Sequence, residues 1–164
     1  MKQLILSFLL ISCTYITKAQ NTNIDKEKLL DLYQTQRYAE AAQYLQSVYP
    51  AETEDVKALN QIAYCYMMSG KLPEAEKNYL KINAIQPNML PVLFSLANIN
   101  SRRGNTAAAQ LFLLDIIKLD STNFNAYKQL ANYTDSIKLK VKYLEKANRL
   151  NNTDADVAYD LALQ

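Results

Sequence analysis

The amino-acid sequence predicts an all-α protein that is built from repeated helix–turn–helix units. Gly70 and Gly104, the only two glycines in the 164 residues, lie 34 residues apart. Apolar and small residues recur at matching positions when residues 56–89 are aligned with residues 90–123. Those residues follow helical spacing within each segment, and the scarcity of glycine and proline disfavours a loop-rich β fold.

The repeating unit is clearest in residues 56–89, which contain two apolar stripes separated by a turn. The first stripe is Leu59, Ile62, Ala63 and Tyr66, and the second is Ala75, Tyr79, Ile82 and Ile85. Gly70 lies between the stripes, where a helix must end and the chain must turn. Pro73 suits the first turn of the second helix, because the amide hydrogen that proline lacks is not needed there.

This unit of 34 residues resembles the tetratricopeptide repeat (TPR). Residues 56–89 carry the pattern of that family well, including its glycine position at Gly70 and its proline position at Pro87. Residues 90–123 depart from the pattern at Asn100, Thr106 and Ser121. The resemblance covers about residues 22–154, and it implies a right-handed α-solenoid of about four repeats plus a terminal helix.

The outer repeats follow the pattern less closely. Residues 22–55 form a degenerate first repeat in which Gln36 occupies the glycine position, and residues 124–154 form a shortened fourth repeat. Ser136 or Asp135 is expected to cap the second helix of that repeat. The alternation of apolar and polar residues over 137–143 is also a strand signal, but the neighbouring repeats favour a helix. Residues 155–164 are predicted to be a capping helix or the start of a truncated fifth repeat.

Residues 1–19 have the features of a secretory signal peptide. Lys2 precedes an uncharged apolar stretch, and small residues ending at Ala19 predict cleavage before Gln20. The stretch is shorter than the roughly 20 residues that span a membrane. The alternative is an apolar N-terminal helix that docks on the domain. The signal is of bacterial type, so the predicted location is the periplasm.

Cys13 allows a second interpretation of this segment. The residues Leu10, Ile11, Ser12 and Cys13 resemble the lipobox of bacterial lipoproteins. Acylation of Cys13 would make the protein a membrane-anchored lipoprotein. A lipid anchor at this cysteine is the only membrane association that the sequence predicts.

Charge and composition argue against several classes of function. The chain has 18 basic and 16 acidic residues, and residues 1–19 hold two lysines and no acid, so the remainder has no net charge. This removes the electrostatic argument for nucleic-acid binding. The absence of histidine excludes histidine triads and histidine metal ligands. Because motifs for catalysis and phosphate binding are also missing, the sequence predicts no enzyme, no cofactor and no metal site, and Cys65 is expected to be a packed thiol.

The TPR resemblance implies a concave groove that is lined mainly by the first helix of each repeat. The predicted partner-binding residues are Lys57, Asn60, Tyr64, Met67, Met68, Phe94, Asn98, Arg102, Lys128 and Asn132. Further groove positions are Tyr33, Gln34, Pro91, Ser101, Asn125 and Asp135. The aromatic and methionine side chains suit adaptable contact with a peptide, although they could instead pack against a neighbouring helix.

A carboxylate clamp, which some TPR proteins use to hold the C-terminus of a peptide, is not predicted. Lys128 and Asn132 match two of its positions, but Asp160 stands where it would repel a carboxylate.

Together these features predict a non-catalytic exported module that binds a peptide or protein partner in its groove. Two alternatives remain open. The chain could be the periplasmic sensor portion of a larger signalling protein that continues beyond Gln164, or a lipid-anchored scaffold of the cell envelope. The sequence does not predict the oligomeric state.

Overall fold

The computed structural model describes residues 24–163, and the all-α prediction is confirmed for them. This part of the chain contains nine helices and no β-strand. The helices are α1 (Lys26–Gln34), α2 (Tyr38–Val48), α3 (Val56–Met68), α4 (Leu72–Ile85), α5 (Leu90–Arg102), α6 (Thr106–Leu119), α7 (Phe124–Tyr133), α8 (Ile137–Leu150) and α9 (Ala155–Ala162). The predicted signal peptide and Cys13 lie outside the described residues.

The helices pack in chain order, each against the next. We call α1, α3, α5, α7 and α9 the A helices, and α2, α4, α6 and α8 the B helices. The buried side chains form three groups, which extend from α1 to α5, from α5 to α7 and from α7 to α9. The core therefore runs along the series of helices, as in repeat proteins whose units contact only their neighbours.

Helical spacing correctly located most of the core residues, with two exceptions at helix ends. The first stripe of residues 56–89 is buried throughout, and Ala75, Tyr79 and Ile82 of the second stripe are buried as well. Ile85 is 39% exposed, and its counterpart Leu119 is 47% exposed. Each is the last residue of its B helix, so the apolar stripe leaves the core before the helix ends.

Three of the turns between an A helix and its B helix share one backbone arrangement. Gln36, Gly70 and Gly104 have φ angles of 56°, 77° and 79°. In each turn the next N–H bonds to a carbonyl five residues earlier, at 2.8 or 2.9 Å. This is the Schellman arrangement, which needs one residue in the left-handed region. Gln36 adopts that conformation with a side chain, at a cost of about 1–2 kcal/mol.

The fourth turn is made differently, because α7 is short. This helix has 10 residues where α3 and α5 have 13, so about one helical turn is missing. Its last carbonyl, that of Tyr133, accepts a hydrogen bond from the side-chain amide of Gln110 on α6. Ser136 is the N-cap of α8 and accepts a hydrogen bond from the Leu139 N–H at 3.4 Å. The predictions of a Ser136 cap and of helix over 137–143 are thus confirmed.

An ion-pair cluster fixes α9 to α7. The ammonium of Lys128 lies 3.0 Å from both carboxylate oxygens of Asp154 and 2.9 Å from Asp156. Asp154 also caps α9 by accepting the Val157 N–H at 3.0 Å. This backbone hydrogen bond and the Lys128 ammonium lower the pKa of the Asp154 carboxyl. Val157 is the one fully buried side chain of α9 among the described residues, so the cluster supplements a small apolar contact.

The turn geometry predicts opposite effects for two substitutions. Gly104→Ala should lower the free energy of unfolding by about 1–2 kcal/mol, because alanine is strained at positive φ even where space is open. Gln36→Gly should raise it, by up to about 1 kcal/mol, since it relieves the same strain. Urea unfolding followed by far-ultraviolet circular dichroism measures both. Gly104→Asn is the matched control and should lose less, because asparagine tolerates this conformation. Equal stability of Gly104→Ala and the parent chain would contradict this account.

The ion-pair cluster predicts how α9 is protected from hydrogen exchange. In Lys128→Gln, amide protection over residues 157–161 should fall several-fold, because Asp154 and Asp156 lose their shared cation. The parent chain should lose the same protection in acid. The lowered pKa of Asp154 means that its contribution is complete above about pH 4 and disappears as the pH falls through that lowered value. Lys118→Gln, which removes an ion pair within α6, serves as control and should leave α9 unchanged. Unaltered exchange of α9 in Lys128→Gln would refute the assigned role.

Candidate functional site

A pocket with a volume of about 390 Å³ crosses three successive A helices. We call it the groove pocket. It is lined by Met67 of α3, by Phe94, Ser95 and Asn98 of α5, and by Asn125 and Gln129 of α7. Two of these side chains are apolar and four are neutral and polar, so the pocket has no charged lining residue. The predicted groove residues Met67, Phe94 and Asn98 are therefore brought together here.

A second pocket, of about 430 Å³, lies at the junction of α1, α2 and α3. We call it the tyrosine pocket, and its lining residues are Tyr33, Tyr38, Asn60, Gln61 and Tyr64. The ring centres of Tyr33 and Tyr38 are 6.3 Å apart, and those of Tyr38 and Tyr64 are 6.0 Å apart at an interplanar angle of 87°. Asn60 and Tyr64 were predicted to face the groove, and the structure places both in this pocket.

Cys65 is buried next to the tyrosine pocket. Its Sγ lies 3.6 Å from the hydroxyl of Tyr33, and no part of the residue is exposed. Burial raises the pKa of the Cys65 thiol and also raises the pKa of the Tyr33 and Tyr64 hydroxyls. These groups therefore remain neutral at physiological pH. The expectation that Cys65 is a packed thiol is confirmed by this burial.

Two of the three cationic residues that were predicted to face the groove, Arg102 and Lys128, contact other parts of the chain. The guanidinium of Arg102 donates to the Met67 carbonyl at 3.3 Å, near the end of α3. Lys128 is held by Asp154 and Asp156. Three other predicted residues are exposed and line neither pocket, namely Lys57, Met68 and Asn132.

Sequence reasoning missed one lining position that the repeat period could have revealed. Gln61, Ser95 and Gln129 are spaced by 34 residues, and each lines a pocket. The sixth residue of each repeat from 56 to 154 is therefore polar and faces the same surface. Tyr38 was also missed, because it begins a B helix and the family pattern assigns that position to helix packing.

Asn100, a departure from the TPR pattern, has a structural role in linking α5 to α4. This residue is 3% exposed, and its side-chain amide donates to Glu76 of α4 at 2.8 Å and to the Leu96 carbonyl at 3.0 Å. In the preceding repeat the equivalent Tyr66 donates its hydroxyl to Gln46 of α2 at 2.6 Å. Both side chains thus link an A helix to the preceding B helix, and they differ only in reach.

Across residues 24–163, no group of three histidine, cysteine, aspartate or glutamate side chains is placed to hold a metal ion. None of the helices over this range combines the length and the apolar character needed to cross a membrane.

Comparison with known proteins agrees with the repeat architecture. Residues 32–88 match the sequence model of the tetratricopeptide repeat family. No curated protein matches the sequence significantly. A crystal structure of MamA protein superposes with a TM-score of 0.74 at 19% identity, over 87% of this chain and 79% of that chain.

Two other solved structures show the same likeness. The C-terminal part of a TPR repeat-containing protein from Cytophaga hutchinsonii has a TM-score of 0.73 at 15% identity, over 82% of this chain and 58% of that chain. The first TPR of Spaghetti (RPAP3), solved with the HSP90 peptide SRMEEVD, has a TM-score of 0.61 at 17% identity, over 68% and 91% of the two chains. At these identities the likeness shows the fold alone. The predicted α-solenoid is confirmed, and the matched segment together with the shared fold supports the tetratricopeptide repeat as its building unit.

Proposed function

We propose that this protein is a non-catalytic, exported interaction module that binds a segment of a peptide or protein in the groove formed by its A helices. The observation that carries the proposal is the groove pocket, an uncharged depression shared by α3, α5 and α7. A segment lying across it would contact three successive repeats at once. Concave surfaces of this kind are what stacked helix pairs commonly use for binding.

The lining of the groove pocket fits an extended peptide chemically. Met67 and Phe94 offer an adaptable thioether and an aromatic face to an apolar side chain. The side-chain amides of Asn98, Asn125 and Gln129 can donate to and accept from peptide N–H and C=O groups. A volume of about 390 Å³ holds a few side chains rather than a whole domain. The proposed ligand is therefore a short segment with at least one apolar side chain.

The electrostatics favour a segment that is not strongly acidic. The TPR of Spaghetti was solved with a peptide that contains three acidic residues. In the present chain Lys128 is already neutralised by Asp154 and Asp156, and Arg102 donates to a backbone carbonyl. We accordingly do not extend the ligand of that neighbour to this groove.

A bulky substitution at Asn98 tests the groove directly. Asn98 is exposed and lines the groove pocket, so Asn98→Trp should fill the pocket with little cost to the core. We expect photo-crosslinking from a benzophenone side chain at position 94 to give a defined adduct in cells of the native host. The adduct yield should fall at least tenfold when Asn98→Trp is combined with the crosslinker.

The matched control places the crosslinker, or in a separate variant the tryptophan, on a B helix. Leu111 of α6 is 64% exposed and lines neither pocket. A crosslinker at position 111 should therefore give no such adduct. Leu111→Trp should leave the adduct formed from position 94 intact. Circular dichroism verifies that helix content is unchanged in each variant. Equal adduct yields with and without Asn98→Trp would refute binding in the groove.

Export is the second part of the proposal, and it depends on residues 1–19. A basic start, an apolar stretch and small residues before Gln20 support cleavage by a signal peptidase. The intact mass of the protein from its own host should equal that of a chain beginning at Gln20. A mass with a lipid increment on a chain beginning at Cys13 would instead support the lipid-anchored scaffold. A much larger mass would support the sensor portion of a longer protein, and an intact Met1 terminus would contradict export.

A further inference from the structure

Four aromatic rings in this chain each lie under one of its own lysine ammonium groups. The pairs are Lys28 with Tyr44, Lys71 with Tyr66, Lys128 with Phe124 and Lys146 with Tyr127, with ammonium-to-centroid distances of 4.6 to 5.9 Å. Within residues 24–163, no lysine or arginine lies over Tyr33, Tyr38 or Tyr64. The tyrosine pocket is therefore lined by three aromatic rings over which the described part of the chain places no cation.

The three rings that line the pocket lie at different angles to one another. Tyr38 and Tyr64 stand nearly perpendicular, at 87°, and Tyr33 is tilted by 41° from Tyr38. In the edge-to-face pair of Tyr38 and Tyr64, the edge of one ring points at a face of the other, so the pocket offers a cation the remaining faces of the three rings. A cation near such faces is attracted by the negative charge above each ring. Asn60 and Gln61 add side-chain carbonyl oxygens, which can accept hydrogen bonds from an ammonium or a guanidinium.

Among the described residues, no charged side chain lines the tyrosine pocket, and the cations nearest to its lining residues along the chain are Arg37 and Lys57. Arg37, next to Tyr38, is paired with Asp31 at 2.5 Å and with Glu40 at 3.5 Å. Lys57 lies on α3 one turn before Gln61 and is exposed. The raised pKa values of Tyr33 and Tyr64 keep their hydroxyls protonated, so a cation in the pocket would meet ring faces and carbonyl oxygens and no phenolate from these two residues.

We propose that the tyrosine pocket is a subsite for a cationic side chain, arginine or lysine, of the segment that binds in the groove. The inference rests on the proposed function, because it assigns a specificity to one part of the same surface. Neutral apolar side chains would gain only burial in this pocket. Anionic side chains would face the negative ring surfaces with no basic residue to balance them.

Small probes test the subsite without knowledge of the partner. We choose N-acetyl-arginine amide and its uncharged counterpart N-acetyl-citrulline amide, which have nearly the same shape. Titration followed by the tyrosine ring signals in NMR should give millimolar binding of the arginine probe. Binding of the citrulline probe should be about 3- to 10-fold weaker, the range expected for a partly exposed cation–π contact. Equal affinity for the two probes would overturn the proposal, and N-acetyl-lysine amide should behave as the arginine probe does.

Two substitutions of Tyr64 separate the ring face from the hydroxyl. Tyr64→Phe keeps the ring and should retain the preference for arginine over citrulline, whereas Tyr64→Leu should abolish it. Tyr64 is 40% exposed, so both variants should fold, which circular dichroism would check. Tyr159→Leu removes a tyrosine that is 66% exposed on α9, and it is the matched control that should change nothing. Lys57→Glu should strengthen binding of the arginine probe several-fold, because it replaces a nearby positive charge by a negative one.

The outcome is independent of the test of the proposed function. Asn98→Trp blocks the groove pocket and leaves the lining of the tyrosine pocket unchanged, so it should not alter binding of the arginine probe. If the arginine probe shows no preference while the adduct at position 94 persists, only the cationic subsite is refuted. If the adduct fails and the arginine probe still binds, the subsite exists and the groove proposal is refuted.

Discussion

Every part of this structure depends on the packing of each helix against the next one in the chain. Leu45, Tyr79 and Leu113 occupy the same position in successive B helices, and all three are buried against neighbouring helices. Because nearly all tertiary contact is between consecutive elements, stability accumulates along the series and no single centre holds the fold. The surface of the A helices that this packing does not use is what remains for binding, and both pockets lie on it, the tyrosine pocket together with Tyr38 of α2.

Elements of the fold that follow from local chemistry could be predicted from sequence. Helical spacing located the stripes that become buried, and Gly70 and Gly104 marked turns that require a left-handed residue. The neighbouring repeats overrode a strand-like alternation at 137–143 and gave the correct helix. Gln36 shows that packing can also override a local preference. The flanking helices hold this non-glycine residue at a φ of 56°.

Contacts between side chains that are far apart in the sequence could not be predicted in this way. Helical spacing placed Lys128 on the groove side. Its ammonium instead pairs with the carboxylates of Asp154 and Asp156 at the start of α9, which follow it by 26 and 28 residues in the sequence. Ile85 and Leu119 fit an apolar stripe, yet no following element covers them. The meeting of Tyr33, Tyr38 and Tyr64 requires three helices to assemble, and no linear pattern reports the angle between two rings.

The shortened α7 has a consequence for how genes of this architecture change length. Each residue removed from the end of a helix rotates the exit of the chain by about 100°, so removal of one or two residues would direct it away from the next helix. Removal of three restores the exit to within about 60° of its former direction, which lets α8 dock as its counterparts do. In terms of coding sequence, this geometry favours a deletion of three codons at this site over a deletion of one or two.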